Sequence, residues 1–185
     1  MPFYYVQLAP HSYTMRKNGR LAYAWNRLPL FWEVQTSLME VPHSGMIVST
    51  DLVDNLADIH PSYKWIVGER LALWALHHDY GRSDIECCGP KFKSLKVDGK
   101  KVIIEFDHAA NGLKTSDGKV PNWSQVWTTR GRYQKAKAEI DGSRVILTHE
   151  LFKPSEEIRF GWDEGAMPNL LNAEGLPAIP FRVKL

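Results

Sequence analysis

The sequence predicts an α/β segment followed by an antiparallel, β-sandwich-like domain. Two observations carry this reading. Up to about residue 84, strand-like apolar runs alternate with helical patterns, an order that calls for a parallel sheet flanked by helices. Beyond it, short alternating stretches are separated by glycine-containing turns, the texture of an antiparallel sandwich. The expected division is therefore 1–84 and 85–185.

The elements follow in order. Phe3 to Leu8 is an aromatic and aliphatic run closed by Ala9-Pro10, a buried strand. Residues 11–29 are irregular, with Asn18-Gly19 as a turn. Pro29 opens a helix to about Met39 that places Phe31, Val34, Gln35 and Leu38 on one side. Gly45 to Thr50 reads as a second strand and runs into an acidic loop, Asp51 to His60. A long helix from Pro61 to Tyr80 carries a stripe of Val67, Leu71 and Trp74 and ends at Gly81, a left-handed cap. Two strands cannot close a parallel sheet, so the first half reads as part of one.

In the second half, Phe92–Val97 and Lys101–Phe106 flank an Asp98-Gly99-Lys100 hairpin. Further strands are expected at Val126–Thr128, Tyr133–Ile140, Arg144–Thr148 and Glu157–Trp162, with a second hairpin turn at Asp141-Gly142. The last twenty residues show little periodicity and are expected to be ordered coil.

Composition excludes several classes. With 44% hydrophobic and 11% aromatic residues the chain is not disordered. The formal net charge of +2, without a basic stripe, argues against a nucleic-acid partner. No apolar run reaches the roughly 18–20 residues of a membrane span, so no membrane partner is expected. The first residues lack the basic and small-residue features of a signal peptide, so the chain as written carries no export address. Cys87 and Cys88 are adjacent and read as reduced, small buried residues; two cysteines cannot build a structural zinc site without histidines at suitable spacing. His77-His78-Asp79 reads as an ordinary helix C-terminus.

Chemistry concentrates at Asp58-Ile59-His60-Pro61, in a loop after a strand and before a helix, where open α/β sheets gather active sites. A histidine with a nearby carboxylate can act as a general base held in one tautomer. The surrounding Asp51 and Asp54 do not make a calcium loop, because Leu52, Val53, Leu56 and Ala57 break the alternation of oxygen ligands. No G-x-S-x-G elbow, Walker loop, G-x-G-x-x-G or H-E-x-x-H is present, so no cofactor and no metal are expected. Ser44-Gly45 precedes a strand rather than a helix. There is a base without an evident nucleophile.

Several blocks resemble one family in order along nearly the whole chain. Pro2-Phe3-Tyr4-Tyr5-Val6-Gln7-Leu8-Ala9-Pro10, Leu30 to Gln35 and Gly45-Met46 through Asp51-Leu52 resemble the sialate O-acetylesterases, a branch of the SGNH hydrolases. So do Asp58-Ile59-His60-Pro61, Lys64 and Val67 to Ala72, then Gly89-Pro90 with Lys93-Ser94, then Asn169 to Asn172, Gly175 to Ala178 and Pro180-Phe181-Arg182. The resemblance implies the C-terminal part of an SGNH-type α/β sheet domain (1–84) followed by its β-domain (85–185). It implies a serine esterase acting on O-acetylated sialic acid or a related acetylated sugar, with His60 as general base and Asp58 as its carboxylate partner. SGNH enzymes more often set that aspartate three residues before the histidine, where this chain has Ala57. The family's nucleophile and oxyanion blocks lie upstream of the Phe-Tyr-Tyr-Val-Gln-Leu strand. The chain alone is therefore expected to be inactive and to self-associate or pack against a serine-bearing half. The family resemblance also implies an exported, periplasmic or extracellular protein. The alternative is a non-catalytic carbohydrate-binding or interaction protein, with Trp123, Trp127, Tyr133 and Trp162 as sugar-stacking rings.

Overall fold

The computed structural model describes residues 1–185 except 15, 18–19, 22–25 and 155, and it describes no side chains for 16–17 and 20–21. The Asn18-Gly19 turn expected from the sequence lies outside the described residues. The chain forms two compact units, residues 1–88 with 163–167, and residues 89–162 with 168–185. The architecture is mainly antiparallel β-sheet with two α-helices.

The first unit contains β1 (Phe3–Val6), β2 (Arg16–Lys17), β3 (Arg20–Leu21), α1 (Arg27–Ser37), β4 (Ser44–Ile47) and α2 (Lys64–His78). β2 and β3 pair antiparallel. β1 and β4 pair parallel, from Phe3 with Ser44 to Val6 with Ile47. Only four residues of each strand pair. Along the edge away from β4, side chains take over: the Gln35 carboxamide donates to the Val6 carbonyl at 3.1 Å and accepts from the Leu8 amide at 2.9 Å. The Trp32 indole donates to the Leu8 carbonyl at 2.7 Å.

These bonds explain a difference from the sequence reading of α1. The helix begins at Arg27, ahead of Pro29, and buries Leu28, Trp32 and Gln35. Those positions follow i, i+4, i+7 spacing, one face of a helix. Of Phe31, Val34, Gln35 and Leu38, read from the sequence as one side of the helix, only Gln35 is buried; the other three are exposed. The inward stripe holds the largest ring and the one side chain able to complete the strand's hydrogen bonds, and that combination prevails over a more apolar alternative.

α2, by contrast, begins later than expected, at Lys64, with Pro61 outside it. It buries Trp74 and, against expectation for a charged residue, Arg70. Trp74 lies directly over Gly45, where an added Cβ would come within 2.3 Å of the ring. Gly45 is thus what lets helix and strand approach. The helix closes as the sequence indicated: Gly81 takes φ 71° and the Arg82 amide reaches back to the Leu76 carbonyl at 2.9 Å.

The second unit contains β5 (Lys91–Asp98), β6 (Lys101–Asp107), β7 (Leu113–Thr115), β8 (Ser124–Trp127), β9 (Tyr133–Lys135), β10 (Lys137–Asp141), β11 (Arg144–Thr148), β12 (Glu157–Phe160), β13 (Leu170–Asn172) and β14 (Phe181–Lys184). Two four-stranded sheets, β10-β11-β6-β5 and β14-β12-β8-β9, carry its core. Phe92 and Phe106 of the first sheet meet the Phe181 ring of the second at centroid distances of 5.0 and 6.1 Å. Val102, Ile104, Val145 and Leu147 face Val126, Ile158 and Phe160 in the same cluster. This is a β-sandwich-like arrangement.

The stretch expected as one strand, Tyr133 to Ile140, is broken at Ala136. Its two halves, β9 and β10, belong to different sheets. Ala136 is buried and its amide donates to the Ser124 carbonyl at 3.0 Å. A strand that switches sheets must turn a tight corner, and a small side chain fits there. The closing residues, expected to be coil, contribute β13 and β14.

Candidate catalytic site

The candidate loop leaves β4 through Val48, Ser49 and Thr50, all buried. Ser49 Oγ donates to the Gln7 carbonyl at 2.9 Å, tying the exits of the two parallel strands together. The Arg70 guanidinium then clamps the next turn. Its Nη1 donates to the Val48 carbonyl at 2.7 Å and to Asp51 Oδ1 at 2.8 Å, and its Nη2 to Asp51 Oδ2 at 2.5 Å. Asp51, weighed from the sequence as a metal ligand, is therefore committed to a cation of the protein itself. Asp54 accepts from Ser62 Oγ at 3.2 Å.

Further along, Asn55 organises the turn. Its side-chain oxygen accepts the Ala57 amide at 2.9 Å and its carbonyl accepts the Asp58 amide at 3.1 Å. Asp58 repeats the device. One carboxylate oxygen, Oδ1, accepts both the His60 amide at 2.9 Å and His60 Nδ1 at 3.1 Å. An aspartate that caps the amide two residues ahead forms an Asx-turn, and here the same turn swings the imidazole onto the same oxygen. A separation of two residues is thus enough to pair the side chains. With the proton on Nδ1 and shared with Asp58, the basic lone pair belongs to Nε2.

The pair is exposed, His60 by 77% and Asp58 by 55% of their side-chain surface. The Asp58 carboxyl is held below the usual aspartate range, first by the His60 amide and then by the His60 ring. The loop is braced from behind. The Ser12 amide donates to the Leu56 carbonyl at 2.9 Å and the His11 amide to the Glu164 carbonyl at 3.1 Å. The buried Glu164 carboxylate accepts the Thr14 amide and hydroxyl. Gly165 lies beside Leu56 closely enough that a Cβ would stand 3.2 Å from Leu56 Cδ1.

Sequence reasoning did not find Arg70, Glu164 or Thr14. Arg70 left a trace, a charge inside the apolar stripe of Val67, Leu71 and Trp74. Glu164 left none, since it reaches the loop from 150 residues beyond Thr14.

The rings suggested for sugar stacking are engaged with the protein. Trp162 is buried, with Arg182 over its ring at 4.6 Å. Trp127 packs edge-on against Tyr133 at 4.9 Å, and the Arg159 guanidinium covers the Tyr133 face at 3.6 Å. Tyr133 also donates its hydroxyl to Glu157. Trp123 is half-buried beside a pocket lined by Asn122, Ser124, Gln125 and Lys135.

At the other end of α2, one imidazole nitrogen each of His77 and His78 and the Cys87 sulfur lie within 4.8 Å of one another. Cys87 and Cys88 are both buried and neither is in a disulfide. Burial, followed by the Glu86 charge, pushes the Cys87 thiol up to about 12.

No protein-family model matches this chain, nor does any curated protein. Among solved structures, the chain is similar to a carbohydrate acetylesterase from Xanthomonas citri, at 33% identity and a TM-score of 0.86. The match covers 99% of this chain and 41% of that one. Over nearly its whole length, this chain thus shares its fold and a third of its residues with part of a carbohydrate acetylesterase.

Proposed function

We propose that this chain supplies the histidine-bearing part of a carbohydrate O-acetylesterase of the SGNH type, whose serine and oxyanion donors lie on another stretch of polypeptide. The observation that carries the reading is the shared oxygen of Asp58, which fixes the His60 ring with Nε2 as its base. The 33% identity to a carbohydrate acetylesterase, of which this chain spans less than half, supports the assignment and its partial character.

In the proposed reaction His60 Nε2 takes the proton of a serine hydroxyl as that oxygen attacks the acetyl carbonyl. The proton then passes to the departing sugar oxygen, leaving an acetyl-enzyme. Water repeats the sequence, its proton passing through Nε2 to the serine as acetate leaves. Asp58 keeps the Nδ1 proton in place and balances the imidazolium charge. Oxyanion donors contribute about 3 kcal/mol each to such a reaction, and among the described residues of 1–88 no serine stands on a sharp strand-to-helix turn. The chain alone is therefore inactive. The substrate class is an acetylated sugar, with O-acetylated sialic acid the specific candidate from the sequence resemblance.

A further feature supports a protein partner. β1 pairs with β4 along one side and, among the described residues, with no strand along the other. Phe3, Leu8, Phe31, Val34 and Leu38 are exposed on the same unit, from 43% to 60%. Open strand edges and apolar faces of this kind pair with another sheet. Self-association is the outcome expected when the serine-bearing half is withheld.

The test is acetate release from acetylated sugars by the 185-residue chain alone and by the chain co-expressed with the part of the similar Xanthomonas enzyme that it does not cover. We expect no turnover alone, turnover on co-expression, and its loss in His60→Ala. Turnover by the chain alone that survives His60→Ala overturns the assignment.

A further inference from the structure

We propose that His77, His78 and Cys87 form a three-ligand site for a divalent transition-metal ion, best suited to zinc, that clamps the end of α2 to the following loop. The donor set of two imidazoles and one thiol favours borderline-soft ions and disfavours magnesium and calcium, which take oxygen ligands. The fourth position of a tetrahedral ion is left to water.

The geometry is built rather than incidental. Adjacent residues on a helix point about 100° apart, so two neighbouring histidines converge only when something turns their rings. His77 Nδ1 donates to the Ile85 carbonyl at 2.6 Å, which leaves Nε2 as the ligating nitrogen. A backbone carbonyl behind a ligating imidazole is a recurrent way of fixing its tautomer and orientation. The His78 ring stacks on buried Trp74 at 5.2 Å and 16°, and its Nε2 stands 3.8 Å from Cys87 Sγ. The two imidazoles lie 4.6 Å apart between centroids.

The thiol is brought back by a folded connection. After the Gly81 turn, the Ile85 amide donates to the Arg82 carbonyl at 3.0 Å, and Arg82 pairs with Asp84 at 2.8 Å. Glu86 then caps the Cys87 and Cys88 amides at 2.9 and 3.0 Å. Each ligand therefore has its own support. Bond lengths of about 2.0–2.1 Å to nitrogen and 2.3 Å to sulfur imply ligand separations of about 3.3–3.6 Å. Small side-chain adjustments bring atoms now within 4.8 Å to that range. On binding, the Cys87 thiol loses its proton to solvent as the sulfur–metal bond forms. Favourable placement of histidines at a helix C-terminus accounts for their charge but not for the convergence of both rings on a buried thiol.

The experiment uses the full 185-residue chain, stripped with a chelator and titrated with cobalt(II), then with zinc(II). We expect one equivalent of cobalt to give a thiolate charge-transfer band with the visible bands of tetrahedral geometry, and one equivalent of zinc to bleach both. Cys87→Ser abolishes the charge-transfer band while Cys88→Ser retains it. His77→Gln and His78→Gln each weaken zinc binding by at least about 10-fold. Absence of saturable binding, a charge-transfer band that survives Cys87→Ser, or unchanged affinity in both histidine variants overturns the proposal. Should Cys87→Ser fail to fold, the wild-type chain still decides. Saturating zinc must slow alkylation of Cys87, located by peptide mass spectrometry, and an unchanged rate refutes the site.

Discussion

Replacing Arg70 by methionine tests how the candidate loop is held. The Arg70 side chain is 9% exposed, and its guanidinium makes three hydrogen bonds, two to Asp51 and one to the Val48 carbonyl. Methionine keeps most of the stem's packing and removes all three. Breaking one side of a buried ion pair typically costs about 3–5 kcal/mol, because the other charge stays behind unpaired. Asp51 is 26% exposed, so water recovers part of that loss. The loss of a bond to the buried Val48 carbonyl adds about 1 kcal/mol. We expect a net destabilisation of about 3 kcal/mol, or a fall in Tm of about 6–12 °C for a chain of this size.

Urea unfolding followed by tryptophan fluorescence reads this directly, since Trp32 and Trp74 lie in the same unit. Asp51→Asn should cost less than Arg70→Met, because it leaves the arginine its Val48 bond. The double variant should be less destabilised than the sum of the two, with a coupling of at least about 1.5 kcal/mol. Arg70→Lys should recover little, since an ammonium cannot make the two-pronged contact. A cost below about 1 kcal/mol for Arg70→Met, or additive singles, refutes the clamp.

Three further outcomes follow from particular contacts. Gly45→Ala should destabilise the first unit by about 2–3 kcal/mol by overpacking, because its Cβ would lie 2.3–2.6 Å from three ring carbons of Trp74; Trp74→Leu in the same background should recover part of the loss, as unfolding midpoints will show. Asn169→Ala should cost about 2–4 kcal/mol, since the buried carboxamide donates to Asp117 at 2.8 Å and Val120 at 3.1 Å and accepts from Asn122 at 3.0 Å, and the Asp117 midpoint should rise with it in carboxyl NMR. The Asp58 midpoint is depressed in the folded chain, so its contribution to stability is present above the ordinary aspartate range and is lost as pH falls through the lower folded value. His60→Ala keeps the backbone amide, the larger cause, and should raise that midpoint only part of the way; a full return to the ordinary value contradicts the Asx-turn.

The fold was legible where a residue's role is local. Gly81, Asp98-Gly99 and Asp141-Gly142 mark ends and turns through backbone conformations that few other residues adopt, and the structure places positive φ at Gly81, Gly99 and Gly142. The alternation in Lys101–Phe106 and Arg144–Thr148 likewise marks β6 and β11, whose inward residues form the core. It was illegible where a distant partner decides. Nothing near Ala136 announces that one apparent strand serves two sheets, because the signal is the position of β8 and β11. In α1 the apolar count favoured Phe31, Val34 and Leu38. The winning face was chosen by three backbone groups, the Val6 carbonyl and the Leu8 amide and carbonyl, that required an indole and a carboxamide. His77, His78 and Cys87 show the same limit, since no metal-site spacing in the sequence joins a helix end to a thiol nine residues on.

The contrast between the two halves of the candidate catalytic machinery has a physical origin. Asp58 and His60 need only each other: one oxygen capping one amide sets the turn, and the turn delivers the ring. The base can therefore be assembled on a loop that is exposed and held by Arg70 and Glu164 from behind. A nucleophile has no such autonomy, because its hydroxyl must stand about 3 Å from both the base and the oxyanion donors. That requirement belongs to a sheet, and here β1 has an edge that no other described strand covers, held only at Val6 and Leu8 by Gln35 and Trp32, with apolar side chains around it. Covering this edge and supplying the serine are thus expected to be one event. The amides of Phe3 and Gln7 donate to the β4 side, so by alternation the Val6 amide faces the other edge. A variant that blocks that edge, Val6→Pro, should abolish complementation by the serine-bearing half while the Asp58 titration stays depressed. If instead complementation survives Val6→Pro in a folded chain, the two halves do not join through β1.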